Sequence, residues 1–179
     1  SITQDGFIKF QPLGGWWEQV LLAQRVEILT QKGRLIGVIG AKSPHILSAE
    51  ERAKPIKISA MYIDIGSTSK AETEEAGVGQ GDPVVPFSSF HLQENGKSIL
   101  ARALDNRVGC ALVVELFREL QQLQHPNAFY GVMTVQEEVG LRGATTSVDV
   151  VRPDLAIVMD VTVATDTPGI SDNDISTRT

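Results

Sequence analysis

Apolar positions along this chain follow two rhythms. Up to about residue 96, short runs alternate apolar with polar side chains between glycines, prolines and asparagines, the period-2 mark of half-buried strands. Arg25-Val-Glu-Ile-Leu-Thr30 and Arg34-Leu-Ile-Gly-Val-Ile39 flank Gln31-Lys32-Gly33, which predicts a hairpin. Ile8-Lys-Phe10 predicts a short strand, and Lys57–Ile65 a longer one with one exposed face. Ser69–Ala76 predicts a short charged helix stopped by Gly77, and Gly81-Asp-Pro83 a turn. Ser88–Leu92 and Ser98–Ala103 form a candidate hairpin across Glu94-Asn-Gly96.

The later rhythm alternates strands with helices. A strand over 98–103 leads to a helix over 106–124, with Val108, Ala111, Leu112, Val114, Leu116 and Leu120 as its apolar face. The unbroken apolar run 128–135 predicts a buried strand, 141–150 a shorter helix, and 155–161 a second buried strand. Strand, helix, strand, helix, strand is the order of a parallel sheet with covering helices. The expected class is therefore α/β, with a small β-rich domain over 1–96 and part of an α/β domain over 97–179.

Parallel sheets gather ligands beyond the carboxyl ends of their strands. Asp105, Glu137, Glu138 and Asp160 all fall at such ends on this reading. Each has a plainer explanation: Asp105 as a helix N-cap, Glu137-Glu138 as a solvated loop, Asp160 as a cap or turn residue. Adjacent residues on a turning backbone point apart, so one glutamate can hold a cation while its neighbour faces substrate. Read from the residues alone, this is a candidate cation site with one carboxylate left to act as a base.

Composition narrows the classes. The chain has 179 residues, 42% of them hydrophobic, and a formal charge of −6, which argues against a general nucleic-acid binder. No apolar run is long enough to predict a membrane span. The start shows no signal-peptide pattern and no initiator Met, so upstream residues are expected to be missing or removed. The single cysteine, Cys110, falls in a helical pattern where a small buried apolar role is expected, and a reducing compartment fits it.

Three segments carry a specific resemblance. Leu104-Asp105-Asn106-Arg107, Val135-Gln-Glu-Glu-Val-Gly-Leu-Arg-Gly-Ala144 and Met159-Asp-Val-Thr-Val-Ala-Thr-Asp-Thr-Pro-Gly169 are similar to the metal-site motifs of the dinuclear metalloaminopeptidases, a family that includes the tetrahedral, glutamyl and deblocking aminopeptidases. Gly40-Ala-Lys-Ser-Pro-His45, Ile63-Asp-Ile-Gly66 and Gly81-Asp-Pro-Val84 resemble that family's inserted β-rich domain. The resemblance implies that Asp105 bridges two divalent metal ions, zinc or cobalt, and that Glu138 and Asp160 bind one each. It implies Glu137 as the general base, a cis peptide at Asp105-Asn106, and release of amino-terminal residues from peptide substrates. It also implies a homo-oligomer, commonly a dodecamer; charge and the lack of a long apolar run add the expectation of no nucleic-acid or membrane partner, and a cytoplasmic location is expected. Trp16-Trp17 then reads either as an interface anchor or as part of a local core.

The family's two histidine ligands lie in segments this chain does not contain, and His45, His91 and His125 do not fit either place. The chain is therefore expected to be part of a longer protein, with no activity on its own and a polar tail, Ser171–Thr179, fitting a loop. Rival readings are a related metal-dependent carboxypeptidase or deacylase, and a non-catalytic assembly fragment. An endoglucanase is disfavoured, because glycosidases use two carboxylates of different pKa and no metal.

Overall fold

Alternation in Arg25–Thr30 turns Val26 and Ile28 to one face, and both are buried there. This strand, β1, pairs antiparallel with β2 (Gly33–Gly40) around the two-residue turn Gln31-Lys32. The Thr30 hydroxyl accepts from the Lys32 amide at 3.1 Å and donates to the Gly33 carbonyl at 2.8 Å, which fastens the predicted hairpin. The chain is known from a computed structural model that describes residues 1–164 and 166–170. It forms two units, Ser1–Phe90 and His91–Thr179.

In the first unit, α1 (Ala49–Arg52) is closed by a capping box in which Ser48 and Glu51 satisfy each other's backbone amides. β3 (Tyr62–Asp64) pairs with β2, and β4 (Val84–Pro86) with β1, giving the antiparallel order β3-β2-β1-β4. The Ile8 expectation holds in reduced form, as isolated bridges to Ile2 and Ile63. Ile8, Leu21, Val26, Ile28, Ile39, Met61, Ile63 and Val78 make one core, with Ile28, Met61 and Ile63 fully buried. The predicted short helix is α2 (Lys70–Glu75), capped by the Ser69 hydroxyl, which accepts from Glu72 N. Its Thr73 is fully buried, and the hydroxyl donates to the Gly6 carbonyl at 2.7 Å.

One strand is shorter than expected. Over Lys57–Ile65 only Tyr62–Asp64 pairs, while Ile58–Ala60 forms a 3₁₀ turn. Glu18 is the cause: its carboxylate accepts from Ile58 N at 3.1 Å and meets Lys57 Nζ at 3.2 Å, so a distant side chain takes an amide that a strand would need. Trp16 and Trp17 are both exposed, which sets aside the local-core reading of that pair.

In the second unit, β5 (His91–Leu92) and β6 (Ile99–Leu100) form the expected hairpin. Asn95 Oδ1 accepts from Lys97 N and Ser98 N and shapes its turn. Two helices follow, α3 (Leu104–Leu120) and α4 (Arg142–Val151). The packed stripe of α3 differs from the expected one. Val108, Leu112, Val114 and Leu116 are exposed, whereas Gly109 is buried and Val113, Phe117 and Leu120 are half-buried. Gly131 lies against Val113 and Phe117, so close that a Cβ there would press on both side chains. Cys110 is a free, half-buried thiol rather than a fully buried one.

The expected parallel sheet is not formed among the described residues. Both sheets are antiparallel, and the runs 128–135 and 155–161 carry no strand. Leu155, Ile157 and Val158 are 81%, 82% and 88% exposed. A strand exists only through a neighbour that takes its amides and carbonyls, and β6 finds that neighbour in β5, an antiparallel hairpin partner. The apolar runs therefore record surface the sequence is suited to bury, without a covering element within the described residues. No helix among the described residues is long and apolar enough to cross a membrane.

Candidate active site

Asp105 lies outside the regular part of α3. Asp105 (φ −77°, ψ 111°) and Asn106 (φ −117°, ψ 49°) are both non-helical, so regular winding begins at Arg107. Asn106 is the residue that caps it: its Oδ1 accepts from Gly109 N at 2.9 Å, the Ncap-to-N3 bond that satisfies one of the free amides of a helix start. The N-cap reading of Asp105 is thereby corrected, because its neighbour performs that task and the Asp105 carboxylate is left available. The Asp105-Asn106 peptide is cis, as the resemblance implied.

The other end of the Asn106 amide reaches across the unit. Nδ2 donates to the Met159 carbonyl at 2.8 Å. One amide group thus ties the residue after Asp105 to the residue before Asp160. Asp160 Oδ1 accepts from Val161 N at 2.8 Å, which steadies that carboxylate against its own backbone.

Glu137 and Glu138 sit on the loop that opens α4. The carbonyls of Val135, Gln136 and Glu137 accept from the amides of Gly143 (3.0 Å), Arg142 (3.3 Å) and Leu141 (2.9 Å). The first amides of the helix are thus satisfied by the loop that carries the glutamates. Gln136 and Leu141 take φ values of 57° and 55°, uncommon for residues with a Cβ. At Gly143 a Cβ would collide with the backbone of Val135, so glycine is what lets the helix start lie against the loop.

All four carboxylates are exposed. Among the described residues, no three His, Cys, Asp or Glu side chains come together closely enough to hold a metal ion. Oxygen donors of this kind suit hard or borderline divalent ions, and the Asn106 tie joins the segments bearing two of them. The donor set fits such an ion in kind, and further ligands are needed to complete a site.

His45 is in an exposed 3₁₀ turn and His91 is exposed in β5. His125 Nδ1 lies 2.9 Å from the Asn127 carbonyl and its ring meets Phe129 edge-on. The segment Met159–Gly169 includes Thr165, and that residue and the tail 171–179 lie outside the described residues.

Asn106, Gly109 and Gly143 are parts of the site's framework that the sequence reading passed over. Asn106 sits three residues before Gly109, the spacing of an N-cap and its N3 amide, and that was the available signal.

The arrangement has known counterparts. The model of the M42 glutamyl aminopeptidase family matches residues 1–177. The FrvX protein of Escherichia coli strain K12 is 44% identical over 171 residues, covering 94% of this chain and 47% of its own length. The crystal structure of a TET aminopeptidase from the marine sediment archaeon Thaumarchaeota archaeon SCGC AB-539-E09 superimposes with a TM-score of 0.89 at 49% identity, over 95% of this chain and 48% of that one. A Pyrococcus horikoshii TET1 peptidase, described as able to assemble into a tetrahedron or a large octahedral shell, gives a TM-score of 0.65 at 35% identity, over 83% of this chain and 44% of that one. The chain spans about half the length of the curated relatives it matches. With a match that runs through both units and takes in the Asp105, Glu137-Glu138 and Asp160 segments together, this chain belongs to the M42 glutamyl aminopeptidase family.

Proposed function

We propose that the whole protein, of which this chain is a part, is a metal-dependent aminopeptidase. The observation that carries this reading is the family match over residues 1–177, which includes every carboxylate of the candidate site. Asp105 would bridge two divalent ions, with Glu138 and Asp160 each holding one, and the family resemblance implies zinc or cobalt. Such a pair of ions supplies a water of lowered pKa and a polarised scissile carbonyl. Glu137 accepts the proton of the attacking water and returns it to the leaving amine. Its place on the loop that opens α4, next to Glu138, keeps the base beside a ligand. A free peptide amino terminus is a cation and pairs with acidic groups around the site, which confines cleavage to the first residue.

The relatives are about twice as long as this span. On this reading the missing ligands, and the strands that would cover 128–135 and 155–161, come from sequence beyond it, and this span alone is inactive. The boundary between a β-rich inserted domain over 1–96 and a catalytic domain over 97–179 belongs to the same proposal. So do a cytoplasmic location and self-assembly into a large homo-oligomer, for which the TET1 particle offers a precedent and the exposed Trp16 and Trp17 an anchor.

The test is hydrolysis by the full-length protein of paired peptides with free and with blocked amino termini, before and after chelation. The proposal expects cleavage of the free peptide alone, lost on chelation and restored by zinc or cobalt. Cleavage that ignores the amino terminus would favour a related carboxypeptidase or deacylase. Chelator-insensitive hydrolysis of a glucan would return the endoglucanase.

A further inference from the structure

We infer that Asn106 is a positioning residue that holds two ligand-bearing segments, Asp105 and Asp160, in register for a divalent cation. This rests on the metal-dependent reading above. Three observations carry it. The side-chain amide of Asn106 uses both its ends, Oδ1 accepting from Gly109 N at 2.9 Å and Nδ2 donating to the Met159 carbonyl at 2.8 Å. It does so one residue after Asp105 and on the carbonyl one residue before Asp160, so the two segments cannot drift apart without breaking that bond. The residue under the amide is Gly109, where a Cβ would collide with Asn106 Oδ1. A Cβ on the helix at that point would take the space the amide uses.

A purely structural role would need only the cap. Serine and aspartate cap a helix about as well as asparagine, yet neither can donate from the position that Nδ2 occupies. The tie to Met159 is therefore what asparagine adds. Partners that orient a metal ligand typically govern affinity by about 10–100-fold, and Asn106 orients two ligand segments through one group.

The experiment is a cobalt(II) titration of the metal-free full-length protein, followed by visible absorption of the bound ion, together with the thermal midpoint of the metal-free state. Asn106→Ser keeps the cap and is too short to reach Met159. It is expected to weaken cobalt binding by about 10–100-fold while the midpoint of the metal-free protein falls only slightly, as the loss of one part-buried hydrogen bond requires. Gly109→Ala, which displaces the amide without removing a polar group, is expected to weaken binding in the same direction. Wild-type cobalt affinity in Asn106→Ser overturns the inference. So does a loss of affinity accompanied by a large fall in the metal-free midpoint, which would make the bond to the Met159 carbonyl a general structural tie. If the wild-type protein itself binds no cobalt, the metal-dependent reading fails and this inference falls with it, a result distinct from the other two.

Discussion

Residues 1–90 and residues 91–170 carry similar apolar content and use it differently. In the first region Ile28, Met61 and Ile63 are 0% exposed and belong to one closed cluster. In the second the most apolar stretches, around Phe129–Val135 and Leu155–Val158, stay open. The first region also satisfies its buried polar group internally, through the Thr73 hydroxyl on Gly6. The difference teaches that hydrophobic patterning reports what a segment is suited to bury, whereas burial itself depends on an element being present to cover it. The region bearing the candidate active site is the one whose apolar runs lack a covering element among the described residues. That is consistent with a span covering about half of its relatives.

The sharpest way to break this comparison is amide hydrogen exchange on this chain. Paired amides in β1 and β2 are expected to exchange slower than those of residues 156–158 by roughly 10³-fold or more, because only the former open with the global unfolding of a core. Similar protection in both places would mean that the runs 128–135 and 155–161 are covered after all. Mutation offers a second contrast. Met61→Ala is expected to cost about 2–5 kcal/mol in urea unfolding, and Ile157→Ala, at an 82% exposed position, less than about 0.5 kcal/mol. Equal costs would erase the distinction between the regions. Within the closed region, Thr73→Val leaves the Gly6 carbonyl without its donor and is expected to cost about 1–3 kcal/mol by the same measurement.

The smallest effect is a pH dependence from two carboxylates of the first region. Glu51 is held below the usual value of 4.5 by the Ser48 amide first, then the Ser48 hydroxyl and Lys42. The Thr68 amide, followed by its hydroxyl, does the same for Glu72. A carboxyl lowered on folding adds stability above its unfolded pKa and loses it as pH falls through the folded one. Both groups are fully exposed, so the effect is modest. Thermal midpoints are expected to fall on acidification below about 4.5, and Glu72→Gln to flatten that fall. An unchanged acid limb in the variant would remove Glu72 from it.

The sequence was most readable where structure is local. The β1–β2 hairpin followed from alternation around Gln31-Lys32-Gly33, and α2 from a short charged run with a glycine stop. It was least readable where a distant group decides. Glu18 takes the Ile58 amide and shortens β3, and no local pattern announces that. On α3, apolar residues occur on more than one side, so periodicity alone could not choose between Leu112 and Val113 as the packed position. The four carboxylates were legible as candidates from their places at the ends of apolar runs. Asn106 was hidden by its neighbour, because an aspartate and an asparagine in sequence both read as caps and only the geometry assigns the role.

The central claim is that Glu137 does chemistry while its neighbours hold metal. The direct measurement is metal content beside aminopeptidase turnover in the full-length protein, wild type against Glu137→Gln. The account predicts that two divalent ions per chain are retained and that kcat falls by about 10²–10⁴-fold. Wild-type turnover in that variant would contradict it.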